Sequence, residues 1–307
     1  MSKQKWIADN IPNLTRKMVI VTGANSGIGF EASKEFARKG AYVVMACRNM
    51  QKAGIALDAI KDEIPNAIVE LMQLDLASQK SIRTFASIFK TNHNQLDILV
   101  NNAGIMMVPY GTTEDGFEQQ LGTNHLGHFA LTGLLMDIIK ATPNARIVNI
   151  SSGAHQWGRM DFDDLMYADG KGYTPMRAYG RSKLANLLFT YELQRRFEAQ
   201  GIDAMAVAAH PGGSNTNLGN HLTEGIMGKL MMPIMSWMMQ SAAMGALPTL
   251  RAAVDPTVEA GDYYGPSGFM EMTGHPVKVK SNKASRNSAD QRQLWEASQA
   301  LTGVRYL

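Results

Sequence analysis

Short apolar runs rich in β-branched residues alternate along the chain with longer segments whose apolar positions recur every three or four residues. The first run, MVIVT at 18–22, stops at Gly23 and predicts a buried strand. Over 27–39, Ile28, Ala32, Phe36 and Ala37 share one helical face, and Gly40 marks the stop. The same alternation predicts strands at 41–47, 68–76, 96–100, 145–151 and 202–209. Between them it predicts helices at 51–63, from Ser78 to about Lys90, at 113–140 and at 177–200. Strands alternating with helices of this length make right-handed βαβ units around a parallel sheet. Near-continuous apolar strands fit a sheet covered on both faces. The expectation is an α/β chain with a single Rossmann-like, doubly wound parallel sheet and helices on both faces. No repeat or flexible linker divides residues 1–307, so one domain is expected, with a less regular C-terminal part.

Composition narrows the class. Hydrophobic residues make up 45% of the 307 and charged residues 19%, a globular balance that excludes disordered and fibrous architectures. A formal charge of +3 without a Lys/Arg run gives no footing for nucleic acid. The single cysteine, Cys47, excludes an intrachain disulfide and a cysteine-based zinc site, and no metal is expected. The N-terminus has no signal-peptide core. The most apolar stretch, LMMPIMSWMM at 230–239, is shorter than the ~20 residues of a membrane helix and contains Pro233. These features predict a cytoplasmic chain without a transmembrane segment.

The chemistry starts at the first turn, TGANSGIG, where Gly23, Gly27 and Gly29 stand between strand and helix. Glycines let the chain turn tightly and let a helix N-terminus approach a pyrophosphate. The same glycines would also suit a plain strand-to-helix turn. Further along, Tyr179 and Lys183 stand four apart, on one helical face. A free tyrosine has a pKa near 10, and a nearby ammonium favours the phenolate, so Tyr179 becomes a usable general acid or base. Ser152, at the end of the fifth strand, can donate to a substrate oxygen where charge develops.

The spacing of TGANSGIG, together with NNAG at 101–104, Asn124 in TNHLGHF, Ser151-Ser152, the YxxxK of Tyr179 and Lys183, and His210-Pro211-Gly212, resembles the short-chain dehydrogenase/reductase family in the right order. The likeness covers nearly the whole chain. GANSGIG, ACRN and YYGPSGFMEMTGHP look most like its retinol-dehydrogenase and WW-domain-oxidoreductase-like branch. The resemblance implies catalytic roles for Asn124 (a water in a proton relay to Lys183), Ser152, Tyr179 and Lys183. It implies a cofactor held by Gly23, Asn25, Ser26, Gly27, Ile28, Gly29, Arg48, Asp75, Leu76, Asn102, Ala103, Gly104, Tyr179, Lys183, Pro211, Gly212 and Thr216. It also implies a homodimer or homotetramer pairing through the Asn124 and Tyr179 helices.

Cofactor choice is read at the end of the second strand. NAD-binding folds place a carboxylate about 20 residues after the glycine motif. Here Arg48 lies 19 residues after Gly29, and no carboxylate occupies 46–49. A guanidinium binds a 2′-phosphate, so NADP(H) is expected over NAD(H).

The other features divide between function and packing. Residues 153–178 read as an insertion, either at the substrate mouth or as a flap packed by its own aromatics. Met227, Met231, Met232, Met235, Met238 and Met239 suit either an apolar lid within 213–240 or core filling. His125, His128 and His210 read as structural. The activity expected is hydride transfer between NADP(H) and a carbonyl or alcohol on an apolar small molecule. Two rivals are a protochlorophyllide-reductase-like enzyme and a dinucleotide-sensing protein without turnover.

Overall fold

The computed structural model describes residues 5–213 and 240–307. Eight strands form one sheet: β1 Met18–Thr22, β2 Tyr42–Cys47, β3 Ile68–Gln73, β4 Ile98–Asn101, β5 Ala145–Ile150, β6 Ala204–Ala209, β7 Tyr263–Pro266 and β8 Pro276–Lys278. Their order is β3-β2-β1-β4-β5-β6-β7-β8. Every neighbouring pair is parallel except β7 and β8, which closes the edge antiparallel. Because β1 is flanked by β2 and β4, the winding reverses there and a crevice opens at the carboxyl ends of the strands.

The helices are α1 Gly27–Arg38, α2 Met50–Glu63, α3 Gln79–Asn92, α4 Gln119–Leu121, α5 Gly127–Leu134, α6 Met136–Ala141, α7 Pro175–Gln200, α8 Ala242–Val254 and α9 Ser288–Thr302. Side-chain alternation in the strands separates two cores. Val19 and Val21 pack with Phe36 of α1 and Leu250 of α8. Ile20 between them faces the other way, with Phe85 of α3, Phe129 of α5, Phe197 of α7 and Trp295 of α9. This is the doubly wound sheet that the apolar pattern predicts.

Two expectations need correction. The helix expected over 113–140 does not run unbroken. Thr112 bridges Glu118, Gly116 takes a left-handed φ of 83°, and α4 begins only at Gln119. The buried Glu118 carboxylate caps this start, accepting from the Gln120 and Leu121 amides at 2.8 and 2.7 Å. A π-helical turn, Gly122–Leu126, follows before α5. The C-terminal part is also more regular than expected, since α8, β7, β8 and α9 complete the sheet and its cover. Among the described residues no helix is long and apolar enough to cross a membrane.

Candidate active site

The crevice at the strand ends holds a cleft of about 400 Å³. The glycine turn forms one wall. Gly23 sits at φ 66°, and a Cβ there would come within 2.9 Å of the Ala103 Cβ. A Cβ on Gly29 would lie 2.5 Å from both the Gly23 carbonyl and the Asn102 side chain. These positions keep the first turn of α1 open and pressed against the NNAG segment. Ser26 stands at the N-cap of α1 yet makes no capping hydrogen bond, whereas Asn49, Ser78 and Thr174 cap α2, α3 and α7. The first amides of α1 therefore face the cleft without a side-chain acceptor, as pyrophosphate binding requires.

A buried network fixes NNAG to this turn. His128 is held neutral, its pKa brought down to about 4 by burial. Its Nδ1 donates to the Asn124 carbonyl at 2.9 Å, so Nε2 is unprotonated and accepts from the Thr22 hydroxyl at 2.9 Å. Thr22 Oγ1 in turn accepts from the Asn102 and Ala103 amides, each at 2.9 Å. β1, NNAG and the π turn thus form one polar unit.

Asn124 uses its side chain as a clamp. Its Oδ1 accepts from the Ile105 amide at 2.8 Å, and its Nδ2 donates to the Ile105 carbonyl and to Ser182 Oγ, both at 2.9 Å. Gly104 lies against both Asn124 Oδ1 and Lys183 Nζ. Asn124 therefore stands one residue's width behind the cleft and is not among the residues lining it.

Tyr179 and Lys183 both line the cleft from α7. Lys183 Nζ donates to the Ile150 carbonyl at 3.1 Å, and burial lowers its pKa to about 8. Burial raises the Tyr179 phenol, and the Ser152 hydroxyl facing it pulls the other way. The expectation that Lys183 lowers this phenol is not met here, because its ammonium is turned to the strand end. Ser152 is half-buried and receives the Ala154 amide at 3.2 Å. Ser151 is buried and donates to the Lys183 carbonyl at 2.9 Å. Ser151 nevertheless lines the cleft, whereas Ser152 does not and faces the Tyr179 hydroxyl instead.

The remaining expected cofactor residues divide cleanly. Gly23, Asn25, Ser26, Gly27, Ile28, Gly29, Arg48, Asp75, Leu76, Asn102, Ala103, Gly104 and Pro211 line the cleft. Gly212 does not: its amide turns back to His210 at 3.3 Å. Thr216 and the methionine cluster lie outside the described residues. Sequence reasoning missed Lys52, Asn49, Ile105 and Thr123, which also line the cleft. Lys52 carried a usable signal, since it stands four residues after Arg48. Neither Arg48 nor Lys52 is paired with a carboxylate among the described residues.

The insertion at 153–178 contributes no residue to this cleft wall. Its middle packs on the opposite face of α7. The buried Arg181 donates to the Arg159, Asp164 and Leu165 carbonyls at 3.2, 2.7 and 2.8 Å and stacks 3.9 Å from the Tyr167 ring. Its far end reaches the segment after NNAG, where the Tyr173 hydroxyl donates to the Val108 carbonyl at 2.7 Å. Among the described residues no group of His, Cys, Asp or Glu is arranged to hold a metal ion.

Comparison with known proteins agrees with this geometry. Residues 17–226 match the family model described as short chain dehydrogenase. The chain is 42% identical to retinol dehydrogenase 13 of Homo sapiens, covering 94% of this chain and 85% of that one. A crystal structure of an uncharacterized protein from Mycobacterium Paratuberculosis superposes with a TM-score of 0.82 at 38% identity, covering 99% of this chain and 100% of the other. A short chain dehydrogenase from Shigella flexneri complexed with NADP shares the fold, with a TM-score of 0.64 at 21% identity over 83% of this chain and 98% of that one.

Proposed function

The chain belongs to the short-chain dehydrogenase family, as an oxidoreductase acting on alcohol or carbonyl groups, and on that premise we propose that it uses NADP(H) in preference to NAD(H) on an apolar alcohol or aldehyde. One observation carries the reading. Tyr179 and Lys183 line the same cleft as the open N-terminus of α1 and the Arg48–Lys52 pair, so reacting groups and cofactor determinants share one space.

When bound, the nicotinamide supplies or takes the hydride. The first turn of α1 would receive the pyrophosphate on its amides. Arg48, just before the Asn49 cap, and Lys52, in the first turn of α2, suit a 2′-phosphate, and no carboxylate neutralises them among the described residues. Lys183 would hold the ribose hydroxyls.

Ser152 Oγ donates to the substrate oxygen and holds it beside the Tyr179 hydroxyl. In the reduction direction Tyr179 gives its proton to that oxygen as negative charge develops there. Burial suits this role, because it keeps the phenol protonated until a hydrogen-bonded partner demands the proton. Asn124 holds the Ile105 backbone and, through it, the cleft wall beside Lys183. The relatives, which are named as retinol dehydrogenases, support an apolar substrate.

The test is turnover of the purified chain on long-chain and retinoid-like aldehydes and on their alcohols, followed by cofactor absorbance with each cofactor. Reduction with NADPH at a kcat/KM at least tenfold above that with NADH supports the reading. Cofactor binding without turnover on any carbonyl sinks the enzymatic reading and favours a sensor.

A further inference from the structure

The turn that carries Pro211 into the cleft is held from behind by a pair of residues that the reaction itself does not use. Pro211 lines the cleft beside Tyr179 and Lys183. The Gly213 amide donates to the Met272 carbonyl at 2.8 Å, and Gln240 Nε2 donates to the Pro211 carbonyl at 2.9 Å. Behind the turn the His210 ring is buried against Tyr263, with ring centroids 5.2 Å apart.

The hydrogen bonds of His210 fix its tautomer. The Gly212 amide donates to His210 Nδ1 at 3.3 Å. A ring nitrogen that accepts carries no proton, so in the neutral ring the hydrogen sits on Nε2. Nε2 lies 2.9 Å from Glu271 Oε2, where a carboxylate can only accept.

Two features mark the arrangement as built. A Cβ on Gly265 would strike the His210 ring at Nε2, so the Nε2 side of the imidazole lies directly against the backbone of β7. Met270 and Glu271 both sit in the left-handed region, at φ 49° and 57°, which non-glycine residues rarely adopt. Met270 is 76% exposed, so no burial of its side chain repays that strain. What the strained turn does achieve is delivery of the Glu271 carboxylate to His210.

We propose that Glu271 is a positioning residue. By accepting from Nε2 it keeps His210 Nδ1 free to receive the Gly212 amide, and so sets the Pro211–Gly213 turn against the nicotinamide end of the cleft. The inference rests on the NADP(H) oxidoreductase reading above. It explains why Gly212 turns from the cleft while Pro211 lines it.

The experiment compares Glu271→Ala, Glu271→Asp and Glu271→Gln in the full chain. NADPH affinity, kcat and KM are read beside the affinity for adenosine 2′,5′-bisphosphate, which occupies only the adenine end. Glu271→Ala should weaken NADPH and lower kcat, each about tenfold, with the bisphosphate affinity and Tm unchanged. Glu271→Asp, too short to reach Nε2, should behave like the alanine variant, and it carries the comparison if that variant does not fold. Glu271→Gln still presents an acceptor oxygen and should recover most of the loss. Wild-type NADPH affinity and kcat in Glu271→Asp would overturn the proposal. So would equal losses of NADPH and bisphosphate, or a Gln variant as impaired as Ala. A wild-type chain that does not bind NADPH removes the underlying reading before any variant is made.

Discussion

Lys183 Nζ stands 5.7 Å from the centroid of the Tyr179 ring and donates at 3.1 Å to the Ile150 carbonyl. The two side chains share one face of α7, one turn apart, yet the ammonium is tied to the end of β5 and not to the phenol. Ser152 is therefore the group that opposes the upward push of burial on Tyr179. Burial thus favours the protonated phenol, and Lys183 is a buried ammonium held at the strand end.

Tyr179→Phe removes that donor while preserving the ring that fills the wall. Turnover should fall by about 10²–10⁴-fold, the usual worth of one acid/base group. NADPH affinity and Tm should stay close to wild type. A clean preparation that turns over at the wild-type rate would refute the assigned proton donor.

Lys183 gives a pH signature in stability. Its pKa falls from the ordinary 10.5 to about 8 because burial penalises the charged form. Below about 8 the side chain is charged in both folded and unfolded states, and the burial cost is fully present. Between about 8 and 10.5 the unfolded chain keeps a proton that the folded chain has lost, so stability rises with pH. Lys183→Met should therefore be more stable than wild type at pH 7, by up to about 3 kcal/mol, with the gap closing toward pH 10. The Ile150 carbonyl is not orphaned by this change, since Asn186 Nδ2 also donates to it at 3.0 Å. Denaturant titrations of both proteins at pH 7, 8.5 and 10, without cofactor, check it. A gap that does not narrow would mean that the buried ammonium is not the cause.

Much of the site was legible because its chemistry is local in sequence. The glycine turn follows an apolar strand directly, and Tyr179 and Lys183 share a helical face by spacing alone. What was hidden depends on contacts across the chain. The clamp made by Asn124 needs Ile105, and the link from Thr22 to His128 needs three elements to meet. Helix 113–140 was overextended because apolar spacing carries on through Phe117, while the start of α4 is set by Glu118, a residue type seldom used as a cap. β7 reads Tyr-Tyr-Gly-Pro, too short and too rich in turn residues to register as a strand.

Cofactor choice should respond to two cations rather than one. Arg48→Asp places a negative charge where a 2′-phosphate would lie and should weaken NADPH by about 2–3 kcal/mol, with NADH favoured relatively. Lys52→Ala should weaken NADPH by a smaller factor and leave NADH unchanged. Titrations of both cofactors against both variants decide it. An unchanged NADPH-to-NADH ratio in Arg48→Asp removes the basis for the preference.

The last prediction concerns assembly. Pairing through the Asn124 and Tyr179 helices would need an outward face on α7. Every residue of α7 from 178 to 190 is buried within a single chain. The insertion covers one side through Leu165, which packs with Leu184 and Leu188, and through the carbonyls gripped by Arg181. α9 covers another: Leu294 joins the same cluster, and Trp295 packs edge-on against Phe129 at 5.1 Å. The chain thus supplies from its own insertion and C-terminal helix the apolar surface that a second subunit would otherwise bring. The expected outcome is a monomer of 33.6 kDa by light scattering at micromolar concentration. Arg181→Ala should loosen the insertion first, raising proteolysis within 159–172 before global unfolding, because three carbonyls lose their donor at once. A stable wild-type dimer broken by a charged substitution at the exposed Leu301 would show instead that α9 itself carries the subunit contact.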